Sequence, residues 1–285
     1  MRFLNIDEEI KVRINRHKWH KDAKYCIKRQ MQTRHKQAHL RNGGFLADIM
    51  KEITKYRISS IEVPVAGTKV LRMEPLDGRM LGFAPGQWVF MHLLDKDGKS
   101  TDKRPYSIAS APSAPCLEFC IEIRGGAFTS RLDKVGTGTV VGIQGPQGRM
   151  TYNGEKKAAF IAGGTGISPV LSMLRHIAES GLAGEFVLFY SVRTRDKLLY
   201  KDELERLVRK NPCIKTVITL TRETPAPGWT GECGRVGHEM IMKHSGRPAE
   251  YDWWMCGPME MVASMRTCLA GMGVDQKKIR LEAWG

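Results

Sequence analysis

The sequence has no apolar run that reads as a membrane span: the uncharged stretch from Ala158 to Leu174 is interrupted by Gly163, Gly164, Gly166 and Pro169, which makes it strand, loop and helix. It has no apolar signal core at its amino terminus, so export is not expected. The seven cysteines, at positions 26, 116, 120, 213, 233, 256 and 268, are odd in number, and a reducing, cytoplasmic compartment fits them best. Iron–sulfur spacing is missing, because the nearest pair, Cys116 and Cys120, has three intervening residues and falls in or beside a predicted strand. Zinc spacing is missing as well. His17 with His20 lacks a matching cysteine pair, and His35 with His39 reads as a solvated pair on a basic helix. Neither an internal repeat nor a defensible Ser-His-Asp constellation is present.

Acidic residues are scarce relative to basic ones, 30 against 45, for a formal charge of +15. Residues 1–57 hold 15 Lys/Arg and only 6 Asp/Glu, so the excess is concentrated at one end. An excess of this kind reports on a partner more than on a fold. What is plentiful is core-forming material: 285 residues, 42% hydrophobic, suffice for two packed domains and exclude disorder or a disulfide-stapled miniprotein.

Three textures follow one another. Residues 1–55 read as a basic helical extension, with Trp19, Ala23, Cys26, Ile27 and Met31 at helical spacing. Phe45, Leu46, Ile49, Met50 and Ile53 repeat that spacing after the Asn42-Gly43-Gly44 break. Its basic face either surrounds a packed apolar stripe or docks an acidic partner; no nucleic-acid-reading module is recognisable. Residues 56–153 read as an antiparallel β-barrel, with short runs such as 58–65, 88–93, 117–123 and 139–143 between Gly- and Pro-containing turns. Residues 154–285 read as a doubly wound α/β domain with a parallel sheet. Its strands are expected at 158–162, 186–190, 216–220, 251–256 and 279–283, and its helices at 168–179, 200–210, 234–244 and 258–271.

The most specific local signal is the run from Phe160 to Pro169, in which an apolar strand meets Gly163-Gly164-Thr165-Gly166 and then a helix capped by Ser168. Glycines let the backbone approach closely, and unpaired amides at a helix start favour a pyrophosphate. A turn at the carboxyl end of the first parallel strand is where dinucleotides bind. Upstream lie Arg104-Pro105-Tyr106-Ser107-Ile108-Ala109-Ser110 and Gly125-Gly126-Ala127-Phe128-Thr129-Ser130-Arg131-Leu132. Arg104 offers a planar fork of donors suited to a phosphate, Tyr106 an aromatic face and Ser107 a hydroxyl. Downstream, Cys256-Gly257-Pro258 joins a strand to a helix, and the chain closes on Leu281-Glu282-Ala283-Trp284-Gly285.

Together these segments, in this order, resemble the ferredoxin-NADP reductase superfamily over about residues 56–285. The resemblance implies a flavin-binding barrel followed by a nicotinamide-binding domain, with FAD a better expectation than FMN. It places Arg104 on flavin phosphate, Tyr106 against the isoalloxazine ring with Pro105 beside it, and Ser107 near the reactive N5. Gly125, Gly126, Phe128, Thr129 and Ser130 would form the phosphate-side turn. Gly163, Gly164, Thr165 and Gly166 would hold the nicotinamide dinucleotide with Gly257 and Pro258. Cys256 would position the nicotinamide, with Glu282 as the terminal acid and Trp284 as a gate over the flavin face opposite Tyr106.

Cofactor choice falls to later strand ends. Ser191 and Arg193 follow the second parallel strand without a carboxylate at its end, Thr221 and Arg222 follow the third, and Arg235 follows a glycine turn. Converging arginines suit a 2′-phosphate and point to NADPH over NADH. The expected activity is reduction of FAD by NADPH and single-electron delivery to an external protein such as ferredoxin or flavodoxin. Two alternatives share these motifs: an NADH-dependent reductase component of an oxygenase or larger redox complex, and a non-catalytic flavin- or nucleotide-binding protein whose basic arm binds nucleic acid.

Overall fold

A computed structural model describes residues 52–223 and 228–284. Residues 1–51 of the predicted basic extension, including Cys26 and both histidine pairs, lie outside the described residues. Thr54 and Lys55, read from sequence as the end of that extension, instead open strand β1 (Thr54–Val65). The reason is alternation: Tyr56 and Ile58 are fully buried while Lys55 and Arg57 face solvent, a period of two that the charged residues mask in a hydrophobicity reading.

The first sheet continues with β2 (Thr68–Pro75), β3 (Trp88–Leu94), β4 (Ser100–Ser107), β5 (Leu117–Glu122) and β6 (Val140–Gln147), and a short helix α1 (Ala127–Leu132) precedes β6. Its order is β4-β3-β6-β1-β2-β5, with every pairing antiparallel. The end strands meet where Ala109 N, just past β4, donates to Glu118 O of β5 at 2.8 Å, which curls the sheet toward a barrel. Val89, Met91 and Leu93 of β3 point into a core shared with Leu71, Met73, Phe119 and Phe128. Trp88 and Phe90 are thereby left on the outer face, ring to ring at 5.0 Å. Burying each large core side chain contributes roughly 1.5–3 kcal/mol.

The second sheet is parallel throughout, in the order β10-β9-β8-β7-β11-β12. Its elements are β7 (Lys157–Gly163), α2 (Ile167–Glu179), β8 (Glu185–Val192), α3 (Lys201–Lys210), β9 (Ile214–Leu220), β10 (Glu232–Cys233), α4 (His238–Ser245), β11 (Asp252–Gly257), α5 (Met259–Gly271) and β12 (Ile279–Ala283). The chain winds outward from β7 through β8 and β9, then returns to place β11 on the other flank of β7. The carboxyl ends of β7 and β11 therefore diverge at a topological switch point, the place where such sheets open a ligand crevice.

Two local expectations change. The helix predicted from 234 begins at His238, because Gly234 takes φ 86 and its carbonyl accepts from Thr219 Oγ1 at 2.6 Å, completing the short β10 pairing instead. Ser168 does not cap α2: Gly166 occupies the N-cap, and Ser168 Oγ donates to Thr165 O at 2.9 Å from inside the first turn. Between the sheets, Val70, Ala109, Cys120, Met150 and Tyr152 of the first half pack into one core with Val170, Leu171 and Leu174 of α2. Trp254 of β11 donates from Nε1 to Thr151 O at 3.0 Å across the same boundary.

Candidate active site

On the barrel side the site is built on β4, whose pairing sets Tyr106 opposite Val89 and Ser107 opposite Trp88. Directly paired residues share a face. Tyr106 thus leans on the barrel core, with its ring 5.9 Å from that of Phe128 in α1, while Ser107 shares the outer face with Trp88. Arg104 Cζ lies 5.7 Å from the same Phe128 ring, so α1 gathers the arginine and the tyrosine around one aromatic. Pro105 stands opposite Phe90. Arg104 Nη1 donates to Asp102 Oδ1 at 2.6 Å and to Lys103 O at 2.7 Å; its Nε and Nη2 have no partner among the described residues. Burial pushes the Tyr106 phenol up to about 12, so it stays neutral.

The turn before α1 is exposed. Gly125 takes φ 74 with open space where a Cβ would stand. Gly126 O accepts from Ser130 N at 2.8 Å and from Thr129 Oγ1 at 3.2 Å. The Thr129 hydroxyl is therefore directed at the helix backbone.

At the switch point the glycines earn their place by close approach. A Cβ on Gly166 would collide with the carbonyl of Cys256, and one on Gly163 would sit 2.8 Å from Met261 Sδ and 2.9 Å from Pro258 Cδ. The loops after β7 and β11 are pressed backbone to backbone, and no larger residue fits between them. Gly164 is different: it takes φ 55 and faces open space, while its carbonyl accepts from the buried Tyr190 hydroxyl at 3.1 Å. Thr165 completes the single 3₁₀ turn Gly164–Gly166 that leads into α2.

Cys256 is fully buried at the end of β11, and burial pushes its thiol well above its ordinary range, so it is held as a neutral thiol. Glu282 of β12 lies opposite it in the parallel register. Glu282 Oε2 is buried without a hydrogen-bond partner, and burial pushes the carboxyl up to about 7. Gly148 lets this side chain reach the barrel: a Cβ there would stand 2.9 Å from Glu282 Oε1 and 2.7 Å from Trp88 Cδ1. Trp284 N donates to Gly257 O at 3.3 Å, and the Trp284 ring meets Trp88 edge to face at 6.1 Å. Cys256, Glu282 and Trp284 thus come together on the α/β side and meet the barrel at Trp88, the ladder partner of Ser107.

The sequence marks Trp88 only as a strand residue. The signal available was its place directly after the Pro85-Gly86-Gln87 turn and its outward phase relative to Val89 and Met91.

Ser191, Arg193, Thr221, Arg222 and Arg235 form a second group along the carboxyl edge of β8, β9 and β10. Ser191 pairs with Gly163 on one side and Thr219 on the other. Thr221 N donates to Val192 O and Arg222 N to Arg193 O, both at 2.9 Å. Arg193, Arg222 and Arg235 are exposed just past the ends of β8, β9 and β10, adjacent strands spaced roughly 5 Å apart. Sequence reading overlooked Glu223 here. Its carboxylate accepts from Arg195 N at 2.7 Å and lies 4.0 Å from Arg195 Nε, while Arg195 Cζ sits 5.1 Å from the Trp229 ring.

The donors and gaps suit a flavin dinucleotide and a nicotinamide dinucleotide. Arg104 has nitrogens to offer a phosphate, Tyr106 and Trp284 supply aromatic surfaces, the Gly164 turn presents backbone to open space, and Glu282 keeps an unpartnered oxygen at the seam. Among the described residues no cluster of His, Cys, Asp and Glu could hold a metal ion, and no helix is long and apolar enough to cross a membrane.

Comparisons with known proteins agree with this geometry. Residues 56–152 match the oxidoreductase FAD-binding domain, and residues 160–267 match the oxidoreductase NAD-binding domain. The chain is 33% identical over 225 residues to ferredoxin-NADP reductase B of Sorangium cellulosum, covering 75% of this chain and 90% of that one. It is 29% identical to the glycine betaine monooxygenase reductase subunit of Pseudomonas aeruginosa, covering 71% of this chain but only 56% of that relative's length. In fold it resembles the FAD/NAD-binding domain of nitric oxide dioxygenase from Vibrio cholerae, with a TM-score of 0.73 at 19% identity over 81% of this chain and 98% of that one. A barrel with the Arg104–Ser107 segment, a parallel sheet open at its switch point and a relative this similar over most of its length lead to one assignment: the chain belongs to the ferredoxin-NADP reductase superfamily and is an NAD(P)H-dependent flavin oxidoreductase.

Proposed function

We propose that this oxidoreductase takes NADPH in preference to NADH, uses FAD, and delivers single electrons to a separate acceptor protein of the ferredoxin or flavodoxin kind in the cytoplasm. The observation that supports the reading is the approach of Glu282 and Trp284 to Trp88, the ladder partner of Ser107, across the seam, with Cys256 paired to Glu282 beside the glycine turn of the switch point. Bound FAD would supply the redox chemistry, taking two electrons from reduced nicotinamide and releasing them one at a time.

The chain's own part is orientation and electrostatics. Arg104 would hold the flavin phosphate, assisted by the Gly125–Ser130 turn; Tyr106, with Phe128 against it and Pro105 beside it, would offer its ring to the flavin, and Ser107 would offer it a hydroxyl. The turn from Gly163 to Gly166 receives the dinucleotide, with Gly257 and Pro258 as its far wall. Cys256, neutral and small, would leave room for the nicotinamide, and Glu282, whose carboxyl burial raises to about 7, would gain and lose a proton near neutral pH. Trp284, edge to face with Trp88, would cover the flavin face opposite Tyr106 and act as the gate to the nicotinamide.

The NADPH preference rests on Ser191, Arg193, Thr221, Arg222 and Arg235 along one sheet edge, where Glu223 is already engaged with Arg195. The odd number of cysteines in the sequence favours a reducing compartment. Likeness to the glycine betaine monooxygenase reductase subunit favours a second reading, an NADH-using component that feeds an oxygenase. One experiment decides between them. Purified protein should be yellow, bleach anaerobically with NADPH at lower concentration than with NADH, and pass electrons to added ferredoxin or flavodoxin with a rate that falls as salt rises. A preference for NADH with no transfer to either acceptor favours the oxygenase reading, and a colourless protein that cannot be reconstituted with flavin sinks both.

A further inference from the structure

The seam between the barrel and the α/β half contains a polar network that the redox site does not use. Arg175 of α2 lies at its centre. Its Nη1 donates to Ala109 O at 2.8 Å and to Glu118 Oε1 of β5 at 2.9 Å. Its Nε and Nη2 hold Glu203 of α3 in a two-pronged pair at 2.6 and 2.7 Å. Glu118 is also held by Arg72 Nε at 2.8 Å and by the Tyr200 hydroxyl at 3.1 Å. The side chains of Arg175 and Glu118 are only 11% and 4% exposed. One turn earlier on the same helix face, Ser172 Oγ donates to Ser110 O at 2.7 Å. Tyr200 is the one non-glycine residue with positive φ among those described, at 59°, and its ring lies 5.6 Å from Arg175 Cζ.

Burying such charges gains little net stability, because desolvation offsets most of the attraction. A fully satisfied network of this kind instead specifies one geometry, and it holds Tyr200 in a backbone conformation that a large side chain disfavours. What that geometry connects is informative. Helix α2 begins at the glycine turn of the switch point, while Ala109 and Ser110 follow Ser107 by two and three residues. Arg175 and Ser172 therefore tie the element that would carry the nicotinamide to the segment that would carry the flavin edge, through two consecutive carbonyls.

We infer that Arg175 and Ser172 are positioning residues that set the separation and angle between nicotinamide and flavin, a role that rests on the two-cofactor reading above. The loss of either loosens the approach of the two rings without removing a group that touches them. A misplacement near 1 Å at the reacting atoms can cost about a hundredfold in rate.

The test uses flavin-loaded wild-type protein with Arg175→Met, Arg175→Lys and Ser172→Ala. Four quantities are read: bound FAD per chain, nucleotide dissociation constant, limiting rate of flavin bleaching after rapid mixing, and the long-wavelength absorbance that forms when the oxidised nucleotide stacks on reduced flavin. Arg175→Met should keep FAD and nucleotide affinity within about threefold yet slow bleaching by about tenfold or more, with the stacking absorbance weakened. Lysine at the same position should restore part of both, and Ser172→Ala, which leaves every charge in place, should lower the rate by a smaller factor. Ser172→Ala decides the matter should Arg175→Met fail to fold. Limiting rates and stacking absorbance unchanged in folded variants, or rate losses that simply follow lost FAD, overturn the positioning role alone. A wild-type protein that retains no FAD, or is bleached by neither nucleotide, overturns the cofactor reading and this inference with it.

Discussion

The carboxyl of Glu282 offers a test in which the sign, size and pH window all follow from the structure. Burial with Oε2 unpartnered raises its pKa from 4.5 to about 7. Between these values the folded protein retains a proton that the unfolded chain has released, so stability falls as pH rises, by about 1.4 kcal/mol per unit. From pH 5 to pH 8 this one group removes about 2.5 kcal/mol, most of it below pH 7 and the remainder within about a unit above it. Glu282→Gln keeps the shape and removes the charge, and so should remove the loss.

The assay is thermal and urea unfolding of wild type and Glu282→Gln at pH 5, 6, 7 and 8, with FAD saturating for both. At pH 5 the two proteins should be close. By pH 8 the variant should be the more stable by about 2–3 kcal/mol, a melting shift of roughly 5–10 °C for a chain of this size. Parallel pH profiles for the two proteins would refute the reasoning, since other titrating groups are common to both. A variant less stable than wild type at every pH would show that the carboxylate has a partner in solution and that Oε2 is not the isolated atom described above.

Three further outcomes are expected. Arg222→Ala should lower kcat/KM for NADPH by about 10- to 100-fold, the worth of one charge-assisted hydrogen bond, while leaving NADH within about twofold; equal losses with both nucleotides would remove the case for a 2′-phosphate site. Gly166→Ala forces a methyl into the Cys256 carbonyl, and a urea-denaturation midpoint equivalent to about 1–3 kcal/mol lost should accompany weakened nucleotide binding; an unchanged midpoint would mean that the two loops are not in contact. Tyr106→Ala should weaken FAD retention by about tenfold while Tyr106→Phe holds it, read from the flavin-to-protein ratio after dialysis, because the aromatic face and not the neutral hydroxyl makes the contact.

Much of this protein is legible in its sequence because the informative features are local. A strand, three glycines and a helix start within ten residues, from Phe160 to Pro169, state the switch-point turn. Arg104 and Tyr106 stand two apart on one strand and Ser107 follows, so by its period of two the first pair share a face and Ser107 takes the other. Patterning also supplied the change from antiparallel to parallel β-structure. Where it erred, the cause is physical: Lys55 and Arg57 hid the start of β1, and the Gly234 turn held β10 against β9 at the expense of the predicted helix start.

What tertiary structure alone decided is every relation between residues far apart in the chain. Arg175 and Glu118 are separated by 57 positions, Arg175 and Ala109 by 66, and no periodicity in a sequence can report that these groups share a buried network. Trp88 became part of the site only when Trp284 and the Gly148–Glu282 approach came to rest against it. The isolation of Glu282 Oε2 is likewise a property of what surrounds it, since desolvation depends on neighbours from both halves and on nothing encoded at position 282 itself. Residue types determine which chemistry is available, and packing determines which groups meet and which protons they keep.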